Sequence, residues 1–168
     1  TRGLLNDDDR YLKTYWSRFE NIWFHGDYVY VDEDNLWYMR GRADDVINVS
    51  GHRMSTAEIE HTVISHTKIS DAASIAIPDE LTGEAIVVFF VSDNKSDTGL
   101  ESEISNYISD KIGKVAKPKH VFQLSDLPKT RTGKIMRRLL KAKLLGQDLG
   151  DLSSLENPHI LDEIPKFG

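Results

Sequence analysis

An α+β fold is predicted from three observations. From about Asp45 onward, short strand-like and helical patterns alternate. Two capping-box signals, Ser55 with Glu58 and Thr98 with Glu101, mark helix starts. Ahead of both lies an aromatic-rich stretch whose alternation is that of a β-hairpin.

The elements follow in order. Residues 1–25 crowd Tyr11, Tyr15, Trp16, Phe19, Trp23 and Phe24 together. Rings of that size need a partner surface that so short a stretch does not supply. From Asp27, Tyr28 and Tyr30, then Leu36 and Tyr38, flank the polar turn Asp32-Glu33-Asp34-Asn35, which predicts a hairpin. Gly41-Arg42-Ala43-Asp44-Asp45 is a charged link. Val46 to Val49 is a short strand running into the turn Ser50-Gly51-His52. After Ser55, the stripe Ile59, Val63 and Ile64 predicts an amphipathic helix. Ala73 to Ile77 is a buried strand ending at Pro78, and Ala85 to Val91 is a second. Leu100, Ile104, Ile108 and Ile112 make the next helix, stopped by Gly113. Val121 to Leu124 is a third strand, and Ile135 to Leu145 a last helix carrying Leu139, Leu140 and Leu144. After Gly146 the chain is acidic and weakly periodic.

Composition narrows the function. The 168 residues are 39% hydrophobic and 29% charged, which describes a soluble folded chain. With no Cys, a disulfide scaffold, a Cys-ligated zinc site and a thiol nucleophile are all excluded. The longest apolar run, Ala85 to Val91, is too short to cross a bilayer. The chain opens at Thr1 with no signal peptide, and it reads as an intracellular fragment. A net charge of −6 argues against general nucleic-acid binding, but the charge is unevenly spread. Lys111 to Lys143 holds eleven Lys or Arg and one acid, a local +10 that leaves −16 elsewhere. Such a block is a surface for an anion or simply a solvated helix face. Thr130-Arg131-Thr132-Gly133-Lys134 favours the former, because Gly and hydroxyl residues set one Lys on a tight turn.

Two further segments carry chemistry. His25-Gly26-Asp27 places a carboxylate at a strand start, where it offers a two-oxygen acceptor to ribose hydroxyls or merely shapes a turn. Arg42 and Arg53 flank the Gly-containing loop Asn48-Val49-Ser50-Gly51-His52. Their guanidinium forks suit phosphate, or surface pairing with Asp44, Asp45 or Glu58.

Taken in this order, the segments resemble the adenylate-forming acyl-CoA synthetases, and among them the acetyl-CoA synthetases. The motifs are WFHGDYVYVDEDNLWYMRGRADDVINVSGHRMSTAEIE and LPKTRTGKIMRRLLK, and the tail LSSLENPHI resembles the same family's end. The resemblance implies a small C-terminal domain, a short mixed sheet packed by helices, preceded by the β-hairpin end of a large N-terminal domain. Residues 1–43 would close that adenylation domain, 44–45 form a hinge, 46–146 the mobile C-terminal domain and 147–168 an acidic tail. The implied reaction joins acetate to ATP, giving acetyl-AMP and pyrophosphate, then transfers the acetyl group to CoA with release of AMP. The fragment alone is expected to be inactive, since the triphosphate loop and acyl pocket would precede Thr1.

Residue by residue, Lys134 matches the catalytic lysine of the first half-reaction and the family's acetylation site. This implies an acetyltransferase and a deacetylase as partners. Asp27 matches the ribose-binding carboxylate, Arg42 a second contact near the ribose, and Arg53 a phosphate contact. Asp44 matches the hinge, while Ser50, Gly51 and His52 match the wall of the CoA channel. His66, with the carbonyls of Ile64 and Ile69, matches a divalent-metal position; Mg²⁺ would otherwise travel with ATP. Two departures stand out: Ser109-Asp110 replaces a CoA-contacting Arg, with Lys111 or Lys114 nearby as substitutes, and His25 replaces a Thr. Alternatives are a propionyl- or medium-chain acyl-CoA synthetase, or a non-catalytic module that docks an acidic partner. Neither nucleic acid nor membrane is an expected partner, and the expected location is cytoplasmic.

Overall fold

The structure, a computed structural model, describes residues 2–43, 45–93 and 99–167, apart from the side chain of Arg40. Its chain divides into two units, Thr1–Asp44 and Asp45–Gly168.

In the first unit, helix α1 (Asp8–Tyr15) starts at Asp7, whose carboxylate accepts from the Arg10 amide at 3.3 Å. Strands β1 (Asp27–Val31) and β2 (Trp37–Arg42) form the expected antiparallel hairpin. Its turn is closed by Asp32, whose carboxylate accepts from the amides of Asp34 and Leu36, both at 2.9 Å. Tyr30 faces Tyr38 across the ladder with ring centroids 6.0 Å apart. A bulge between Tyr28 and Val29 shifts the register, so that Asp27 still ends opposite Arg42. Side chains on both faces of the hairpin remain exposed, and among this unit's described residues Tyr11 is the one buried large apolar side chain.

The second unit holds a mixed sheet. It contains β3 (Val46–Val49), β4 (His52–Ser55), α2 (Thr56–Ile64), β5 (Asp71–Asp79), β6 (Gly83–Val91), α3 (Leu100–Lys111), β7 (His120–Leu124) and α4 (Arg137–Leu144). The strand order is β4-β3-β6-β5, and β7 lies parallel to β6 from Val87 to Val91. A crossover through α3 makes that parallel pairing possible. The other pairings are antiparallel.

Strand β6 is the centre of the core, and its period of two divides its side chains between two faces. Ile86, Val88 and Phe90 pack with Ile47, Ile59, Val63, Leu100, Ile104 and Ile108, so α2 and α3 cover that face. Ala85, Val87 and Phe89 pack with Leu139, Leu140 and Leu144 of α4 and with Ile160, Leu161 and Ile164. The acidic C-terminal segment is therefore part of this core, through a 3₁₀ turn over Pro158–Asp162.

Several elements differ from their sequence expectation. His52 belongs to a strand, not to the turn: β4 pairs back on β3 around the two-residue loop Ser50-Gly51. Polar His52 and Arg53 hide this strand from a hydrophobic-pattern reading, because they point to solvent. Strand β5 runs through Pro78 to Asp79. This edge strand tolerates Pro because the N–H of Ser74, four residues earlier, points away from β6 to a Glu60 carboxylate oxygen at 2.8 Å. Helix α4 begins at Arg137 rather than Ile135, because Ile135 is bridged to Lys129 and Met136 takes the N-cap position. Ser55 is the N-cap of α2, but its side chain does not close the cap. The cap residue of α3 is Gly99, and Thr98 lies outside the described residues.

Candidate active-site turns

The +10 segment contains a tightly built turn between β7 and α4. Lys129 bridges Ile135, the Thr130 amide donates to the Lys134 carbonyl at 2.9 Å, and the Gly133 amide donates to the Thr130 carbonyl at 2.8 Å. The Thr130 hydroxyl accepts from the Lys134 amide at 3.1 Å and lies 3.0 Å from the Thr132 hydroxyl. Gly133 sits at φ +80°, a left-handed conformation that a side chain would strain. The backbone of Lys134 is thus held while its side chain stays exposed. Thr130, Arg131, Thr132 and Lys134 line an open cavity of about 410 Å³ together with Ser153 and Ser154.

Three ion pairs hold the segments on either side of this turn. Downstream, Arg137 grips Glu60 of α2 through both oxygens, Nε at 2.9 Å and the terminal nitrogen at 2.6 Å. Glu60 is buried, and its hydrogen bonds keep Arg137 firmly charged against the desolvation of the site. Upstream, the Lys129 ammonium lies 2.8 Å from Asp71 and 2.9 Å from Asp126. Burial opposes the Lys129 charge, but the two carboxylates outweigh it and hold its pKa above the ordinary lysine value. Lys134 differs: no carboxylate of the described residues pairs with its ammonium.

A second turn, Ser50-Gly51, joins β3 to β4. Ser50 at φ +50° and Gly51 at φ +82° give the double left-handed geometry of a tight hairpin loop. The Ser50 amide donates to the Thr82 carbonyl at 2.9 Å, which ties the loop to the end of the β5–β6 hairpin. A Cβ built on Gly51 meets nothing within 4 Å, and Gly51, His52 and Arg53 all face solvent.

In the first unit the hairpin register brings Asp27 and Arg42 together, with Oδ1 of Asp27 3.3 Å from the guanidinium. His25 Nδ1 contacts the other carboxylate oxygen, so both oxygens of Asp27 are engaged. Gly26 is at φ +89°, a left-handed conformation that favours glycine, and a Cβ there would lie 2.9 Å from the flexible end of Arg42. Asp44 lies outside the described residues.

His66, at the exit of α2, has both ring nitrogens in use. Nε2 is 3.2 Å from Glu103 of α3, and Nδ1 accepts from the Lys68 amide at 3.4 Å. Its ring meets Tyr107 edge-on at 5.0 Å. Of its two expected companions, Ile64 is exposed and Ile69 is buried, and the Ile69 amide donates to the His66 carbonyl at 3.0 Å. Among the described residues, no group of three or more His, Asp or Glu is arranged to hold a metal ion. Likewise no helix there is long and apolar enough to cross a membrane.

The described expected residues therefore fall into four places. Asp27 and Arg42 share the first hairpin, Ser50 and Gly51 form the β3–β4 loop with His52 and Arg53 following on β4, Ile64, His66 and Ile69 lie at the exit of α2, and Lys134 stands on its own turn. Sequence reading overlooked Glu60, Asp71, Asp126 and Asn157; Glu60, for example, has partners 14 and 77 residues away. One signal was available for Glu60: an acid beside Ile59 on the apolar face of a helix requires a buried partner.

Residues 58–134 match the family of the AMP-binding enzyme C-terminal domain. The chain is 41% identical to the acetyl-coenzyme A synthetase of Methanothrix thermoacetophila over 98% of its own length, and 43% identical to that of Streptomyces avermitilis over 97%. It spans about a quarter of each relative, 26% in both cases. Among solved structures it is similar to the Mycobacterium tuberculosis fatty acyl CoA synthetase, with a TM-score of 0.61 and 28% identity over 84% of this chain and 27% of that one. The mixed sheet and these likenesses agree: residues 58–134 form a C-terminal domain of the AMP-binding enzyme kind.

Proposed function

We infer that the chain is the C-terminal part of an AMP-forming acetyl-CoA synthetase, with acetate, ATP and CoA as substrates. The observation that carries this is the Thr130–Lys134 turn, which fixes the Lys134 backbone by two hydrogen bonds to Thr130, is closed by two further contacts, and leaves the ammonium without a carboxylate partner among the described residues. The relatives at 41% and 43% identity support acetate rather than a longer acid.

In the first half-reaction an acetate oxygen attacks the α-phosphorus of ATP, and pyrophosphate leaves. Negative charge accumulates on the α-phosphate oxygens, and the Lys134 ammonium stabilises it. A compact charge on a flexible stem suits a group that enters for one step and withdraws for the next. Mg²⁺ would accompany the ATP phosphates and help neutralise them. Asp27 accepts from the ribose hydroxyls, with Arg42 beside it; the 3.3 Å pairing supports one shared ribose subsite. Arg53 contacts phosphate. In the second half-reaction Ser50, Gly51 and His52 line the path of CoA, and the open space around Gly51 supports that role. Residues 44–45 are the hinge between the two arrangements, with 1–43 closing the large domain and 46–146 forming the mobile one. The exposure of Lys134 also suits reversible acetylation, which would abolish its charge. His66, with the carbonyls of Ile64 and Ile69, would form an accessory cation position only if His66 exchanged its Glu103 contact for the ion. A cytoplasmic location would suit ATP and CoA as substrates.

The test is Lys134→Ala in the full-length protein. Acetate-dependent exchange of pyrophosphate into ATP should fall roughly 100- to 1,000-fold, while thioester formation from supplied acetyl-AMP and CoA persists. Retained exchange would overturn the assignment. A complementary variant, Gly51→Leu, should impair thioester formation and leave exchange intact.

A further inference from the structure

The segment preceding Lys134 is held by the far end of the chain. Asn157 uses its side-chain amide three times there. Its Oδ1 accepts from the Lys129 backbone amide at 3.1 Å, while Nδ2 donates to Asp126 at 2.9 Å and to the Leu127 carbonyl at 2.8 Å. Beside it the Glu156 amide donates to the Lys129 carbonyl at 2.9 Å, and Leu155 bridges Thr130. Together they form a short two-stranded strip, and its other strand leads directly into the Lys134 turn. The C-terminal segment is anchored for this purpose, since Ile160, Leu161 and Ile164 are buried under the sheet. Arg138 adds a strap by donating to the carbonyls of Leu149 and Asp151.

Only a carboxamide meets these demands, because one acceptor and two donors must be offered from a single planar group. Aspartate at the same place keeps the acceptor but loses both donors, and it would set its charge against Asp126. The anchoring is also asymmetric along the chain. Lys129 and Thr130 are fixed by residues about 30 positions away, whereas Arg131 to Lys134 are exposed and held only within the turn.

We propose that Asn157 is a positioning residue for the adenylation step: it sets where the Thr130–Lys134 turn begins, and so where the Lys134 ammonium is delivered. The proposal rests on the assignment of Lys134 above. Displacing a reacting group by about 1 Å costs up to roughly 100-fold in rate. The acidic C-terminal segment, which leaves no catalytic signature in composition, thereby becomes part of the apparatus.

The experiment compares Asn157→Ala, the isosteric Asn157→Asp, Lys134→Ala and the core control Ile160→Val in the full-length protein. Both Asn157 variants should lower acetate-dependent pyrophosphate exchange roughly 10- to 100-fold through kcat, with KM for ATP unchanged. Thioester formation from supplied acetyl-AMP should stay within about twofold. Deuterium uptake by residues 129–136 should rise in both Asn157 variants and remain unchanged in Lys134→Ala. Ile160→Val should lower the melting temperature without altering the ratio of the two half-reactions. An equal fall in both half-reactions, or an exchange rate like the parent's, overturns the proposal. If Lys134→Ala itself retains exchange, the assignment of Lys134 fails instead; the deuterium uptake then still decides whether Asn157 fixes the turn.

Discussion

Strand β6 and the first hairpin are both rich in large apolar side chains, yet they meet opposite fates. Phe89 and Phe90 of β6 are fully buried, whereas Trp37 and Met39 of β2 are 71% and 65% exposed. The cause is the number of partners. Strand β6 has neighbours on both edges and helices over both faces, while among the described residues of the first unit β1 and β2 pair only with each other. A two-stranded ribbon cannot cover either of its own faces. Apolar content alone therefore says little about where a core forms; the supply of covering elements decides it.

Unfolding experiments can set the two regions against each other, because all three tryptophans (Trp16, Trp23 and Trp37) lie in the first unit. Their fluorescence follows that unit, while far-UV circular dichroism is dominated by the helices of the second. The largest effect is expected from Phe89→Ala, about 3–5 kcal/mol from the lost transfer energy and the cavity left behind. Trp37→Ala should change stability by less than about 0.5 kcal/mol. Equal losses in urea titrations would contradict the contrast in burial.

Next comes Glu60→Gln, expected to cost about 2 kcal/mol. That is below the roughly 3–5 kcal/mol of a fully buried pair, because Arg137 keeps some contact with solvent. The same change removes the charge and one of the two acceptor oxygens on which the start of α4 rests, so an undiminished melting temperature would show that the ion pair does not hold the helix. Gly51→Ala and Gly133→Ala should each cost about 1 kcal/mol. Both residues are left-handed, and nothing lies within 4 Å of an added Cβ, so backbone strain acts alone. A cost near zero at either would refute the strain at that turn.

The smallest effect is the acid dependence. Asp79 is held well below the usual carboxylate range, first by Lys119 and then by Thr82; Glu103 is lowered chiefly by Lys68. At Asp126, burial works in the opposite direction, but Lys129, the Leu127 amide and Asn157 prevail and lower its pKa too. Such groups bind fewer protons folded than unfolded. Their stabilisation is full above the unfolded value, about pH 4, and is lost as the pH falls through the lower folded values. Melting temperature against pH should therefore decline below about pH 4, and less steeply in Asp79→Asn. An unchanged slope would remove Asp79 from the account. These three groups all belong to the second unit, so tryptophan fluorescence should miss the change that circular dichroism follows.

How far the molecule was readable depended on the distance over which each feature is determined. The first hairpin, α2, α3, β6 and β7 were visible because alternation, helical periodicity and stop glycines are local signals. Lys134 was visible because Thr130, Thr132 and Gly133 sit within five residues of it. Strand β4 was hidden, since His52 and Arg53 face water and only pairing with β3 makes them a strand. Pro78 seemed to end β5, and only the edge position of that strand shows why it does not.

Sequence alone was enough for the α+β class, the basic segment and the local geometry of the Lys134 turn, because each depends on neighbours a few residues apart. Tertiary structure decided which segments hold that turn in place. Glu60 reaches Arg137 across 77 residues, and Asn157 reaches Lys129 across 28. Both meetings depend on the parallel pairing of β7 with β6 and on the burial of Ile160. A polar side chain carries no record of its distant partner; the packing of the apolar core brings the two together, and burial then makes their hydrogen bonds obligatory.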